Sequence, residues 1–139
     1  MIERLHRRIL NLIRYELEQA GVSDINPARI LMLTKIEGRE VALRDIIERG
    51  CYIVSNALQN IKQLLEADYI AQKRSDHDKR SAKVSLMEKA EDPCRKLVEL
   101  NEAQAKRLNV DKEPTEKLNT AIDVLQNLEN GWSEYFSYG

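Results

Sequence analysis

Cysteine is scarce in this 139-residue chain: there are two, Cys51 and Cys94, with no Cys-x-x-Cys spacing. His6 and His77 are the only histidines, so no zinc-ligand set stands at a recognisable interval, and neither a metal nor a cofactor is expected. Five glycines in the whole chain leave no Gly-rich phosphate loop. No nucleophile sits beside a base and no carboxylates pair in a recognisable setting, so no catalytic residue is assigned and no enzyme is expected. An excess of one charge is missing too: 22 Lys plus Arg stand against 23 Asp plus Glu, a net charge of -1. Any nucleic-acid partner must therefore be announced by local clustering. No apolar run approaches the ~20 residues that cross a bilayer. The basic N-terminus lacks the uninterrupted apolar core and cleavage site of a signal peptide, and the expectation is a cytoplasmic protein with no membrane partner.

What is present is helical period. Ile2, Leu5, Ile9, Leu12 and Ile13 recur at three- and four-residue steps, with Arg4, Arg7, Arg8, Glu16 and Glu18 mostly between them, which predicts an amphipathic helix ending near Gly21. Asn26-Pro27 reads as a cap and first helical residue of a second helix that runs to about Ile36. A break at Glu37-Gly38-Arg39 precedes Val41 and a short helix, Leu43 to Glu48, closed by Gly50. From Ile53 to Ala67 the apolar residues Val54, Ala57, Leu58, Ile61, Leu64 and Leu65 share one face, while Ser55, Asn56, Gln59, Asn60, Lys62 and Gln63 occupy the other. Two strand-like runs then flank a tight charged turn, Asp76-His77-Asp78-Lys79-Arg80, between Tyr69 and Leu86.

The order of these parts carries the functional argument. A short helix, a Gly-containing turn and a longer helix make a helix-turn-helix, and the strand, basic turn and strand that follow make it winged. From Tyr69 to Lys89 six Lys or Arg stand against three acids, a surplus that the chain total hides. An amide-rich face can offer a donor and an acceptor together to an adenine edge, where carboxylates would repel phosphate. The plain alternative is a merely solvated face, since amides are common on exposed helices; the wing that follows favours the reading face. In Asp78-x-Arg80 a carboxylate two residues before an arginine can fix its guanidinium for a narrow minor groove, against the alternative of an ordinary surface ion pair.

From about Asn26 to Ala90 the chain resembles the winged helix-turn-helix core of the MarR family of bacterial transcription regulators. The residues that carry the resemblance are Lys73-Arg74, Asp78-Lys79-Arg80-Ser81, and the run from Lys83 to Ala90 that follows them. The resemblance implies that Arg80 enters the minor groove with Asp78 orienting it, that the helix starting near Ile53 lies in the major groove, and that Arg74 supports the wing or contacts phosphate. Met87 and Ala90 replace the family's usual Thr and Gly, and Asp68 stands where a glycine commonly closes the recognition helix. The resemblance also implies that an amphipathic small molecule, or an oxidant acting on cysteine, modulates DNA binding. Cys51 reads as a small packed residue beside the recognition helix; Cys94 lies next to Arg95 and Lys96, which favour a thiolate if they are close in space.

After the wing, a helix from about Met87 carries Cys94, Leu97, Leu100 and Ala103, with Pro93 either kinking its first turn or marking its start. Asn109 to Pro114 reads as a turn, and the last helix, about Thr115 to Phe136, sets Leu118, Ile122, Leu125, Leu128, Trp132 and Tyr135 along one stripe. That stripe needs a cover. Either the first helix packs on the last within one chain, or two subunits interlock; the resemblance implies the second, with Leu5, Ile9, Leu12, Leu118, Ile122, Leu125, Trp132 and Tyr135 at the dimer interface.

The expected fold is therefore mainly α with a minor β component: a winged helix-turn-helix core at 26–90, with helical dimerisation regions at 1–25 and 91–139. The expected function is sequence-specific binding of double-stranded DNA by a homodimeric transcription regulator, through Ser55, Asn56, Gln59, Asn60, Lys62, Gln63, Arg74, Lys79 and Arg80. A winged-helix module that binds protein instead of DNA is the alternative, and the basic wing argues against it.

Overall fold

The structure, a computed structural model, describes residues 1–36, 38, 40–49, 54–74 and 82–137, the side chains of 48, 49, 54, 55, 136 and 137 excepted. Cys51, Asp78, Lys79, Arg80 and the side chain of Ser55 thus lie outside the described residues.

Helix α1 (Ile2–Gln19) ends as its composition predicts. Gly21 takes φ +71°, a left-handed conformation that costs a glycine little because it has no Cβ. This lets the Val22 and Gly21 N–H groups close on the Leu17 and Glu18 carbonyls at 2.9 and 3.1 Å, satisfying acceptors that the helix end would leave open. Helix α2 (Pro27–Thr34) starts on its cap: Asn26 Oδ1 accepts from the Arg29 N–H at 2.9 Å, and Pro27 occupies a position where its missing donor is not needed.

Strand β1 (Val41–Ala42) then leads into α3 (Leu43–Arg49), α4 (Val54–Glu66) and the hairpin of β2 (Ile70–Arg74) and β3 (Ala82–Leu86). The sheet is antiparallel in the order β1-β3-β2, with β2 and β3 in register from Ile70 opposite Leu86 to Arg74 opposite Ala82. β1 is absent from the sequence reading, because two residues carry no period; it is recognised only by its pairing, Val41 opposite Val84 and Ala42 opposite Lys83. A 3-10 turn (Glu88–Ala90) precedes α5 (Glu91–Arg107), and Pro93 falls in the first turn of α5, where the N–H groups have no helical partner in any case. Asn109, left-handed at φ 56°, opens a second 3-10 turn (Val110–Lys112) before α6 (Thr115–Ser137). The reading as mainly helical with a small winged sheet holds.

The chain divides into two compact units, 1–99 and 100–139. The first contains every buried apolar residue described: Ile13 and Leu17 of α1, Ile30 and Leu33 of α2, Ile46 of α3, Ala57, Ile61 and Leu64 of α4, Ile70 and Val84 of the sheet, and Cys94 and Leu97 of α5 are among them. One expected core position is corrected. Leu58 is 47% exposed, because on a helix whose buried line is Ala57, Ile61 and Leu64 it is turned about 100° away from that line. In the second unit no described residue is buried, and Ile122, Leu125, Leu128, Trp132 and Tyr135 are all exposed, Trp132 at 64% and Tyr135 at 76%.

Candidate nucleic-acid interface

Helix α4 presents the candidate reading face, and its three-dimensional form is narrower than its sequence. Asn56, Gln59 and Lys62 are exposed and form one strip; Lys62 makes only a loose contact, 3.8 Å, with the Glu66 carboxylate one turn on. Such an exposed pair is worth under about 1 kcal/mol and leaves the ammonium available to another anion. Leu58 joins the exposed surface of the helix, where its only chemistry is apolar contact, for which a thymine methyl in a major groove is one suitable target. Asn60 and Gln63 are half-buried at the margin. Asn60 Oδ1 already accepts from Arg29 Nε at 3.2 Å, and Gln63 Oε1 is buried without a hydrogen-bond partner among the described residues. Asn56, Gln59 and Lys62 are thus the exposed members of the expected α4 set among the described side chains, while Asn60 is engaged by α2 and Gln63 is partly covered.

The C-terminal end of α4 is closed without a glycine. Asp68 adopts φ +62°, a conformation in which Asp is tolerated better than most side chains. The Tyr69 N–H reaches the Leu64 carbonyl at 3.0 Å and the Asp68 N–H the Leu65 carbonyl at 3.2 Å. This is the hydrogen-bond pattern that a glycine would have produced, so the departure from the family pattern leaves this turn intact.

A cluster that sequence reading missed fastens this turn to the rest of the first unit. Tyr69 Oη donates to Asp24 Oδ1 at 2.6 Å; Lys89 Nζ donates to Asp24 Oδ2 at 2.6 Å and to the Ala67 carbonyl at 2.8 Å, and stands 4.5 Å from the centre of the Tyr69 ring. The cation at the Ala67 carbonyl also meets the negative end of the α4 dipole. The bonds from Lys89 and then from Tyr69 hold the Asp24 carboxyl below its usual range near 3.8. Burial, and then the bond to Asp24, push the Tyr69 hydroxyl well above its usual value near 10. No local pattern announces the cluster, because 45 residues separate Asp24 from Tyr69.

The signs give a test. Asp24 stabilises the fold fully above its unfolded pKa near 3.8 and loses that contribution as pH falls through its lower folded value. Tyr69, whose folded pKa is raised, contributes fully below pH 10 and loses that contribution as the unfolded chain ionises above it. Tyr69→Phe should therefore cost about 1 kcal/mol at pH 7, a low value for a charged hydrogen bond because Asp24 is half exposed. In thermal unfolding at a series of pH values, the gap between parent and variant should shrink above pH 10; a gap constant from pH 7 to 11 would show that the hydroxyl is not held in this way.

At the wing base, strand alternation sorts the basic residues by face. Ala71 and Lys73 of β2 share one face with Ser85 and Lys83 of β3, Lys73 standing directly opposite Lys83. Lys73 Nζ is paired with Glu40 Oε1 at 3.1 Å. Arg74, exposed at the outer end of β2, lies on the opposite face, the one that buries Ile70 and Val84. The thiol of Cys94 is 1% exposed. Neighbouring Arg95 pairs with Asp92 and Glu99, and Lys96 with Asp92 at 2.9 Å, so both cations are engaged by carboxylates. Burial shields the thiol from dissolved oxidant, which favours the reading as a packed residue.

Residues 2–90 match the family model described as a winged helix DNA-binding domain. Over all 139 residues the chain is 35% identical to the exopolysaccharide II synthesis transcriptional activator ExpG of Rhizobium meliloti (strain 1021), of which it spans 72%. Among solved structures it is similar to the transcriptional regulator SlyA, with a TM-score of 0.79 at 17% identity over 99% of this chain and 94% of that one. It is also similar to a cysteine-to-serine mutant of MarR from E. coli complexed with operator DNA, with a TM-score of 0.69 at 14% identity over 91% of this chain and 89% of that one. At such identities the two structures are likenesses of fold, whereas the match to ExpG is one of sequence along the full chain.

Proposed function

The chain belongs to the winged helix DNA-binding family, as a transcription regulator with the MarR fold, and from that premise we propose that it is a homodimer that binds a particular duplex sequence and performs no chemistry. The observation that carries this reading is the exposed strip of Asn56, Gln59 and Lys62 on α4, a face free of carboxylates except at Glu66 near its end. In this reading α4 enters the major groove, where Asn56 and Gln59 discriminate between base pairs and Ser55 and Lys62 assist. Lys79, Arg74 and Arg80, with Asp78 orienting Arg80, contact the backbone and the minor groove, as the family resemblance implies. Positive side chains would supply most of the affinity by neutralising phosphates, so binding should weaken steeply with salt.

The division of labour follows the chain order: residues 26–90 bind DNA, while 1–25 and 91–139 join two protomers. What supports dimerisation is the second unit, which buries none of its described side chains while exposing a stripe of large apolar ones; a stable monomer rarely leaves so much contiguous apolar surface in water. A small ligand is favoured over an oxidant acting at Cys94 as the modulator. The thiol of Cys94 is buried, while a cleft of about 450 Å³ lined by Arg14, Leu17, Glu18, Val22, Ile25 and Pro27 lies where α1 passes into α2. An amphipathic molecule held there more tightly at one spacing of the two DNA-binding cores would shift the population by its differential affinity. None of the described helices is long and apolar enough to cross a membrane, and we place the protein in the bacterial cytoplasm with its DNA.

Selection of bound sequences from random duplex DNA tests the reading. The parent protein should enrich a two-fold symmetric site, and Gln59→Ala or Asn56→Ala should lose about 1–3 kcal/mol of discrimination at particular base pairs with little change in binding to unrelated DNA. Enrichment of no sequence, with binding insensitive to salt, would reject it.

A further inference from the structure

Arg29 lies half-buried in the first turn of α2, and its Nε donates to Asn60 Oδ1 on α4 at 3.2 Å. That neutral amide is its one side-chain partner among the described residues; no carboxylate pairs with the guanidinium, and the first turn of α2 contains no acid. Two ordinary explanations for an arginine are thus missing here. Among the described residues it neutralises no neighbouring anion, and a cation in the first turn opposes the helix dipole rather than complementing it.

Location supplies an explanation. A helix with its side chains is about 10–12 Å across, close to the width of a major groove, so the pole of a reading helix meets base edges while its flanks face the phosphate walls. Gln59 and Lys62 belong to the exposed strip; Asn60 lies at its margin, one turn beyond Asn56, on the flank that α2 approaches through Arg29. With Nε engaged by Asn60, the guanidinium keeps the four N–H donors of its two terminal nitrogens, an arrangement suited to two oxygens of one phosphate. We propose that Arg29 is a DNA phosphate contact at the edge of the groove, and that Asn60 is a positioning residue that orients Arg29 and does not read a base. The proposal rests on the reading of α4 as the groove helix given above.

The test uses the full-length protein and two duplexes, the site selected by the parent and a scrambled version, with affinities measured across a salt series. Arg29→Ala should weaken binding to both duplexes by the same factor, roughly tenfold, as loss of one charged hydrogen-bonding group implies. It should also reduce the slope of log K against log salt by about 0.9 for each protomer engaged. Arg29→Lys should restore the slope but only part of the affinity, because it keeps the charge and loses the fork. Asn60→Ala should weaken both duplexes alike, keep the selected sequence unchanged, and add nothing further when Arg29 is already alanine. Should Arg29→Ala fold poorly by circular dichroism, Arg29→Gln carries the same comparison, since it removes the charge while keeping an amide donor for Asn60. An unchanged salt slope in the neutral variants, or an Asn60→Ala protein that selects a different base, overturns the proposal while leaving the DNA-binding reading in place. A parent that distinguishes no sequence and shows no salt dependence overturns both.

Discussion

Arg80→Ala should weaken binding to the selected site by on the order of 10–100-fold, the loss of a charged hydrogen-bonding group from a confined anionic groove, without lowering the thermal midpoint of the protein. The reason for the large effect is electrostatic. A narrow minor groove concentrates negative potential, and a guanidinium that enters it is held by several acceptors at once, while its entropy cost falls if Asp78 already restrains it. The reason for unchanged stability lies in the sequence around it: Asp76-His77-Asp78-Lys79-Arg80 has no apolar residue to bury, whereas the sheet is anchored through Ile70 and Val84. Asp78→Ala should give the same sign with a smaller loss. Fluorescence anisotropy on a labelled duplex, beside a thermal melt of each variant, decides the matter; an Arg80→Ala protein with parental affinity would reject the role given to the wing.

Leu125→Glu should convert a dimer into monomers at micromolar concentration and reduce operator affinity by at least about 100-fold, because a two-fold reader gains its second half-site as an intramolecular event and loses that advantage on dissociation. Leu125 belongs to the exposed stripe of α6 with Ile122, Leu128 and Trp132. In an interface related by two-fold symmetry the substitution occurs twice, so two carboxylates would be taken from water into apolar surroundings without partners. Asp123, exposed on the other side of α6, supplies the control: Asp123→Asn should leave the dimer intact. Sedimentation analysis reads the mass directly. A Leu125→Glu protein that remains dimeric would show that the stripe is covered by something other than a second copy of α6.

Much of the fold was legible because it follows from near neighbours in the chain. The helices at Ile2–Gln19, Pro27–Thr34, Val54–Glu66 and Thr115–Ser137 come from three- and four-residue periodicity with Gly21, Asn26 and Pro27 as punctuation, and the hairpin from two short runs about a charged turn. β1 escaped because it exists only as a partner of β3. On α4, composition could mark six polar positions, yet it could not tell which amides point outward and which turn back toward α2 or the core. Leu58 erred in the other direction, an apolar residue assigned to the core that the helix rotates into water.

The sequence by itself determined the order of parts, the turn residues, the basic excess around the wing and the family resemblance, since each is set by residue type and spacing within a few positions. Only the tertiary structure decided that Asp24 and Lys89 fasten Tyr69 and the end of α4, that Arg29 meets Asn60, and that Cys94 is shielded. Those contacts join residues 31, 45 and 65 positions apart, and side-chain pairing across such separations depends on how helices and sheet pack, which no local pattern encodes.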